Sequence, residues 1–239
     1  MESISIRLAG LPPVLDGFRI AIIADLHMPR ITAFHEKIAE AVHAAQPECI
    51  LIAGDTIDEA TDSIDSLTPF FEALSRIAPT VAILGNNDCL KGRIFSLREM
   101  YQRAGVTLLE NETRLLNARG IPLQITGLSD PRAAAIGIMP EREEEKEYVP
   151  LAKALPPKEE EKTGGVMLPS ILLLHRPQLV HEYRALRPSL VIAGHAHGGQ
   201  FRIAGRGLYA PDQGILPRLT SGLYDMEGTP MVVSRGLGN

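Results

Sequence analysis

The chain has 239 residues, 45% hydrophobic and 22% charged, an ordinary globular composition with enough apolar residues for a sizeable core. Its net charge of -5 removes the electrostatic case for a nucleic-acid partner. No apolar run approaches the roughly 20 residues of a membrane span, and the first residues lack the charged-then-apolar layout of an export signal, so a cytoplasmic form is expected.

Ser3 to Leu8 reads as an N-terminal strand, followed by a Pro12-Pro13 turn. Phe18 to Ala24 is an isoleucine-rich run, short enough for a buried strand, that ends in Asp25-Leu26-His27. Thr32 to Gln46 carries helical spacing in Phe34, Ile38, Ala41, Val42 and Ala45, and Pro47 stops it. Cys49 to Ala53 is the next buried strand and runs into Gly54-Asp55-Thr56-Ile57-Asp58. Thr68 and Pro69 supply an N-cap and a first helical position for a helix through Phe71, Leu74 and Ile77. Thr80 to Leu84 leads as a strand into Gly85-Asn86-Asn87-Asp88, and Ile94 to Ala104 reads as a helix.

Val106 to Leu109 and Leu123 to Thr126 read as further strands. Residues 139–165 break the pattern with charge runs and prolines, and read as a charged insertion that resists packing, not as a second domain. Ile171 to Leu174 is a strand ending on His175, and Pro177 to Leu186 reads as a helix. Leu190 to Ala193 runs into Gly194-His195-Ala196-His197-Gly198-Gly199-Gln200, and Met231 to Ser234 is a last strand. One domain is expected over residues 1–239.

Buried strands alternating with helices argue an α/β fold. Five strands lead, at their C-terminal ends, to residues that bind metals: Asp25 and His27, Asp55, Asn86, His175, and His195 with His197. Ligands of open α/β sheets sit outside those ends. Taken singly, each has a bland reading. Asp-Leu-His and Gly-Asp are ordinary turns, and His175 closing an apolar run fits a satisfied core histidine. If the backbone stays extended at His195 and His197, both point to one side. Asp58 suits a hydrogen-bonding role, holding a neighbouring histidine ring. His35, His43 and His181 fall within helices and read as structural or surface residues. Cys49 and Cys89 make no disulfide framework; Cys49 reads as core, and Cys89, beside Asp88, as open to the strand-end face. Mixed His, Asp and Asn donors suit Mn, Fe or Zn and argue against a Cys-ligated structural zinc site. Seven such residues exceed one ordinary site and fit two ions sharing Asp55.

Aligned in this order, the blocks resemble the calcineurin-like metallophosphoesterases, whose pattern runs Asp-x-His, Gly-Asp-x-x-Asp, Gly-Asn-His-(Asp/Glu), His, Gly-His-x-His. The match covers residues 25–197. Gly-His-Ala-His-Gly-Gly-Gln and Ser234-Arg235-Gly236-Leu237-Gly238 resemble the bacterial YkuE-like branch. The resemblance implies two packed β-sheets flanked by helices, a four-layer sandwich. It implies one ion held by Asp25, His27, Asp55 and His197, and a second held by Asp55, Asn86, His175 and His195. Two divalent ions, Mn first and Fe, Zn or Mg as alternatives, would polarise a phosphoryl group and generate the attacking hydroxide. The substrate would be a phosphomonoester or phosphodiester. Members of the branch often carry a membrane anchor, which brings a nucleotide- or lipid-linked ester and peripheral membrane association into the expectation.

Asn87 stands where the pattern has histidine, the residue that stabilises the transition state or protonates the leaving group. Asn87 and Asp88 are the candidate catalytic residues. The substitution also raises a rival reading, a metal-binding interaction protein of the same fold with weakened catalysis.

Overall fold

The computed structural model describes residues 2–90, 92–135, 168–200, 202–203 and 206–238. Four strands, β1 (Ile20–Ile23), β2 (Cys49–Ile52), β3 (Thr80–Ala82) and β4 (Thr107–Leu108), form an all-parallel sheet in sequence order. Helices α1 (Ala33–Ala45), α2 (Thr68–Ile77) and α3 (Ile94–Arg103) make the crossovers. Right-handed crossovers between sequential parallel strands place successive helices on one face. Accordingly, Ile38, Phe71, Leu74, Leu97 and Tyr101 pack with Ile50, Ile52 and Ala82 in one core cluster.

The second sheet runs, from edge to edge, Gly222–Met226, Thr229–Val233, Leu190–Ala193, Ser170–Leu173, Ile121–Gly127 and Glu112–Ala118. Its strands are β5 (Glu112–Ala118), β6 (Ile121–Gly127), β7 (Ser170–Leu173), β8 (Leu190–Ala193), β13 (Gly222–Met226) and β14 (Thr229–Val233). The pairings β6-β7, β7-β8 and β8-β14 are parallel, and both outer pairings are antiparallel. Four short strands form two separate antiparallel ribbons between β8 and β13: β9 (Arg202–Ile203) with β10 (Arg206–Gly207), and β11 (Tyr209–Ala210) with β12 (Gly214–Ile215).

The sheets pack face to face. Cys49, Leu51, Val81 and Ile83 meet Ile125, Ile171, Leu173 and Ile192 in a second cluster. Leu172, Val191 and Val233, pointing the other way, pack with Val180 and Tyr183. Alternate residues of β2 and β7 thus enter different cores, so neither strand has a solvent face and each reads as a continuous apolar run. The expected four-layer α/β sandwich is the observed architecture.

Several local expectations differ from the structure. Residues 3–8 form no strand; Ile6 and Leu8 instead pack beside the inter-sheet core. Leu67, not Thr68, caps α2, because a 3-10 turn at Asp65–Leu67 leads into it and the Thr68 hydroxyl donates to Asp65 O. Pro177–Leu186 is 3-10 helix, broken at Tyr183. Strands β5 and β13 lie at the two edges of their sheet, half-wet and of mixed polar and apolar sequence, and have no counterpart in the sequence reading. Cys89 is buried with the first core and not open to the site. The insertion at 139–165 lies outside the described residues.

Leu51 is fully buried between the sheets. Leu51→Ala should lower unfolding free energy by about 2–5 kcal/mol in a denaturant titration. A loss of no more than about 0.5 kcal/mol, the range of surface substitutions, would contradict this packing.

Candidate metal centre

The candidate ligands sit where the C-terminal ends of the two sheets meet. Strand β1 delivers Asp25 and His27, β2 delivers Asp55, and the loop after β3 delivers Asn86 and Asn87. From the second sheet, β7 delivers His175, and β8 delivers His195 and His197. Asp25, Asp55, His175 and His195 are buried; Asn86 and Asn87 are half-buried.

The chain turns sharply as it leaves these strands. Asp25, His27, Asp55, His195 and His197 all have positive φ, between 43° and 68°. Left-handed backbone costs a non-glycine residue roughly 1–2 kcal/mol. Neighbouring loops hold it: His27 N–H donates to Asp55 O at 3.1 Å, and Met28 N–H to Thr56 O at 2.8 Å. The C-terminal Gly236-Leu237-Gly238 closes over the same turn, with Leu237 N–H on Ala24 O at 3.1 Å. A Cβ on Gly236 would lie 2.9 Å from the Asp25 Cβ, so this approach needs glycine.

The left-handed turn separates the two histidines that an extended backbone would have kept together. His197 joins Asp25 and His27, whereas His195 joins Asp55 and His175. Each trio brings its ligand atoms within 4.8 Å of one another. The His27 and His197 rings stack with their Nε2 atoms 3.2 Å apart. His175 Nε2 lies 3.2 Å from both Asn86 Oδ1 and His195 Nδ1. Asp55 Oδ2 lies 3.8 Å from His27 Nε2 and 3.3 Å from His175 Nε2. One carboxylate oxygen therefore stands between the groups.

Hydrogen bonds set which nitrogen faces inward. His175 Nδ1 donates to Ala53 O at 2.7 Å, which turns Nε2 into the cluster. His195 Nε2 donates to Asp212 Oδ2 at 2.8 Å, which turns Nδ1 inward. Burial, aided by His175 and Arg176, pushes His195 down to about 4. Burial is also the main cause of the lowered values at His27 and His197. These three imidazoles are neutral at pH 7. Burial, offset in part by His175, raises Asp25 to about 7. At Asp55 burial opposes the charge, but His175 and two donors from Asn87 hold the carboxyl below its usual range. Burial opposes a proton on His175, yet Asp55 outweighs it and lifts the ring to about 10. Imidazoles, three of them neutral, beside two buried carboxylates are a donor set that suits borderline or hard divalent cations.

Asn87 donates from its backbone N–H to Asp55 Oδ1 and from its side-chain amide to Asp55 Oδ2, each at 2.8 Å. Asp88 lies behind the cluster, fully buried. It accepts backbone N–H groups from Thr56, Ile57 and Gly85 at 2.8, 3.1 and 2.8 Å. The Asp58 carboxylate accepts the Ala60 N–H at 2.9 Å, in a local turn. His35 is structural: its Nδ1 accepts the Thr32 N–H at 3.1 Å at the start of α1.

Sequence reasoning missed three residues. Asp212, in the turn between β11 and β12, holds His195 and pairs with Arg176. Arg176 in turn grips buried Asp130, with Nε to Oδ2 at 2.5 Å and Nη2 to Oδ1 at 3.0 Å. Loop carboxylates carry no periodic signal, and 17 residues separate Asp212 from His195. A carboxylate on the outer nitrogen of a ligand histidine fixes its ring and raises its basicity. Asp212→Ala should therefore weaken Mn binding about 10–100-fold in calorimetric titration. Asp212→Asn, which keeps an acceptor oxygen, should recover part of the loss. Wild-type affinity in the alanine variant would show that Asp212 does not orient the ring.

The model of the family described as calcineurin-like phosphoesterase matches residues 18–199. Phosphodiesterase YaeI of Escherichia coli is 26% identical, over 100% of this chain and 82% of its own length. The uncharacterized metallophosphoesterase YkuE of Bacillus subtilis is 24% identical, over 98% and 77%. UDP-2,3-diacylglucosamine pyrophosphatase LpxG of Chlamydia muridarum is 26% identical, over 94% and 79%. With more than half of its length inside the family model and relatives in the YkuE-like branch, the chain belongs to the calcineurin-like phosphoesterases, hydrolases that use divalent metals.

Proposed function

We propose that this chain hydrolyses a phosphomonoester or phosphodiester with two divalent ions, Mn foremost, and that Asp55 bridges them. Asp25, His27, Asp55 and His197 would hold one ion; Asp55, Asn86, His175 and His195 would hold the other. The observation that carries this reading is the position of Asp55 Oδ2, within 3.8 Å of His27 Nε2 and 3.3 Å of His175 Nε2. Bound ions of this kind polarise a phosphoryl oxygen and make water a nucleophile at neutral pH. Phosphoryl transfer then depends on positioning and charge stabilisation. The rival reading, an interaction protein with weakened catalysis, is not favoured.

The residues of this chain divide the remaining work. Asn87 directs its amide donors at the bridging carboxylate, fixing its orientation. Asp88 ties the loops after β2 and β3 together through its three amide bonds. It is a positioning residue in this reading, because its oxygens face backbone and not the cleft. Neither side chain then delivers a proton to the departing oxygen: the Asn87 amide is no proton donor at neutral pH, and the Asp88 oxygens are occupied by backbone N–H groups. The name of the LpxG relative, a pyrophosphatase of a diacylated nucleotide sugar, supports a lipid-linked or nucleotide-linked ester as substrate class. No helix among the described residues is long and apolar enough to cross a membrane.

Bis-p-nitrophenyl phosphate leaves as nitrophenolate and needs no proton. The Mn-loaded protein should hydrolyse it, chelation should abolish turnover, and Mn should restore it. Absence of turnover with bound metal would contradict the assignment. General acid assistance is worth about 10²–10⁴ in rate. Asn87→His should therefore raise turnover of alkyl phosphate esters more than that of nitrophenyl esters. Equal effects on both would show that position 87 acts through Asp55 or through charge alone.

A further inference from the structure

The two ligand groups differ in how they are held from outside. His175 Nδ1 is tied to Ala53 O and His195 Nε2 to Asp212 Oδ2, so both rings of one group have their outer nitrogen bonded. The His27 and His197 rings of the other group turn their Nε2 atoms toward each other. Among the described residues, no carboxylate or carbonyl bonds the outer nitrogens of these two.

The tie on His195 is itself restrained. Asp212 sits in a turn with its side chain 44% exposed, and an exposed carboxylate alone has several rotamers of similar energy. Arg176 Nη1 bonds the same Asp212 oxygen that accepts from His195. The other edge of the guanidinium forks onto Asp130, whose carboxylate is fully buried. Two parallel bonds from a planar guanidinium fix its plane as well as its position, so Nη1 has one direction. Asp130 is fixed in turn by backbone. Its N–H donates to Leu84 O at 3.0 Å, and its Oδ1 accepts the Arg132 N–H at 2.9 Å. Leu84 precedes Gly85-Asn86, and Arg176 follows His175. The chain of contacts Asp130–Arg176–Asp212 therefore links the three loops that supply Asn86, His175 and His195. A buried ion pair adds little net stability, because desolvation offsets much of the attraction. What this pair settles is the direction of the guanidinium.

We propose that Asp130 and Arg176 are positioning residues for the ion beside Asn86, His175 and His195: the buried fork aims Arg176 at Asp212, and Asp212 holds the His195 ring. This rests on the two-ion reading and goes beyond it, since one of the two sites then depends on residues that touch neither ion. The ion beside Asp25, His27 and His197 lacks this dependence.

Calorimetric titration with Mn, together with electron paramagnetic resonance of the loaded protein, tests the proposal. Wild type should bind two Mn and show the spectrum of a coupled pair. Arg176→Met should weaken one binding step about 10–100-fold, the cost of losing an outer partner of a ligand, and leave the other step near wild type. At Mn concentrations between the two affinities, its spectrum should be that of isolated Mn. An anomalous map of the same variant should keep the peak beside His27 and His197 and lose the one beside His175 and His195. Arg176→Lys keeps the charge without the fork and should behave like Arg176→Met. Removing the arginine alone leaves Asp130 buried without a partner charge, which destabilises the fold. The double variant Asp130→Asn with Arg176→Met removes both charges and carries the same expectation where the single variant does not fold. Equal weakening of both steps would overturn the proposal, as would wild-type affinity at both. Full recovery in Arg176→Lys would overturn it too, because charge alone would then suffice. A wild type that binds a single Mn would overturn the two-ion reading and this proposal with it, whereas two ions in wild type with unselective loss in the variants would overturn this proposal alone.

Discussion

Two hydrogen bonds across the gap between the sheets set the relation of everything in the site. His175, at the end of a second-sheet strand, donates Nδ1–H to Ala53 O in the first sheet at 2.7 Å. His195, from the neighbouring second-sheet strand, donates its backbone N–H to both oxygens of Asp25, at 3.0 and 3.1 Å. Each bond joins a candidate ligand on one sheet to the turn that supplies candidate ligands on the other. The apolar layer beneath, where Leu51 and Val81 meet Ile171 and Ile192, sets how closely the sheets approach. Core packing at near-crystalline density is therefore a condition for the spacing of the cleft. Packing and polar bonds act on one distance, and a change in either moves both ligand groups together.

Backbone strain is concentrated in the same place. Five of the seven candidate ligands adopt left-handed φ. Strain of this kind persists only where the surroundings over-determine it, and it clusters at functional sites. Here the restraints are the loop ladder from Asp25 to Met28 along Gly54 to Thr56, the three amides on Asp88, and the C-terminal glycines on Asp25. The strand ends thus send His195 and His197 to different ligand groups, where an extended backbone would point both to one side. Asp25 and His175 are both displaced upward, so a proton competes with any cation there. Cation binding would release protons and relieve part of the strain.

Much of this was legible in the residues, for a definite reason. A strand buried on both faces must be apolar throughout, so the four-residue runs of β2, β7 and β8 stand out. A polar residue ending such a run is conspicuous. Edge strands gave no such signal: β5 and β13 mix polar with apolar residues and are half-exposed, so neither is a continuous apolar run. The separate paths of His195 and His197 were not legible either. Spacing predicts direction only while φ stays negative, and both residues have positive φ. Asp212 was hidden because its role depends on a long loop folding back over the site. Nothing local in Ala-Pro-Asp-Gln-Gly marks that return.

The central claim is that one carboxylate, Asp55, joins two metal-binding groups supplied by different sheets. Crystals grown with Mn, measured at a wavelength where Mn scatters anomalously, test it most directly. The account requires two anomalous peaks roughly 3.5–4 Å apart, with the Asp55 carboxylate touching both. One peak would beside His175 and His195, the other beside His27 and His197. A single peak, or none within coordination distance of Asp55, would contradict it.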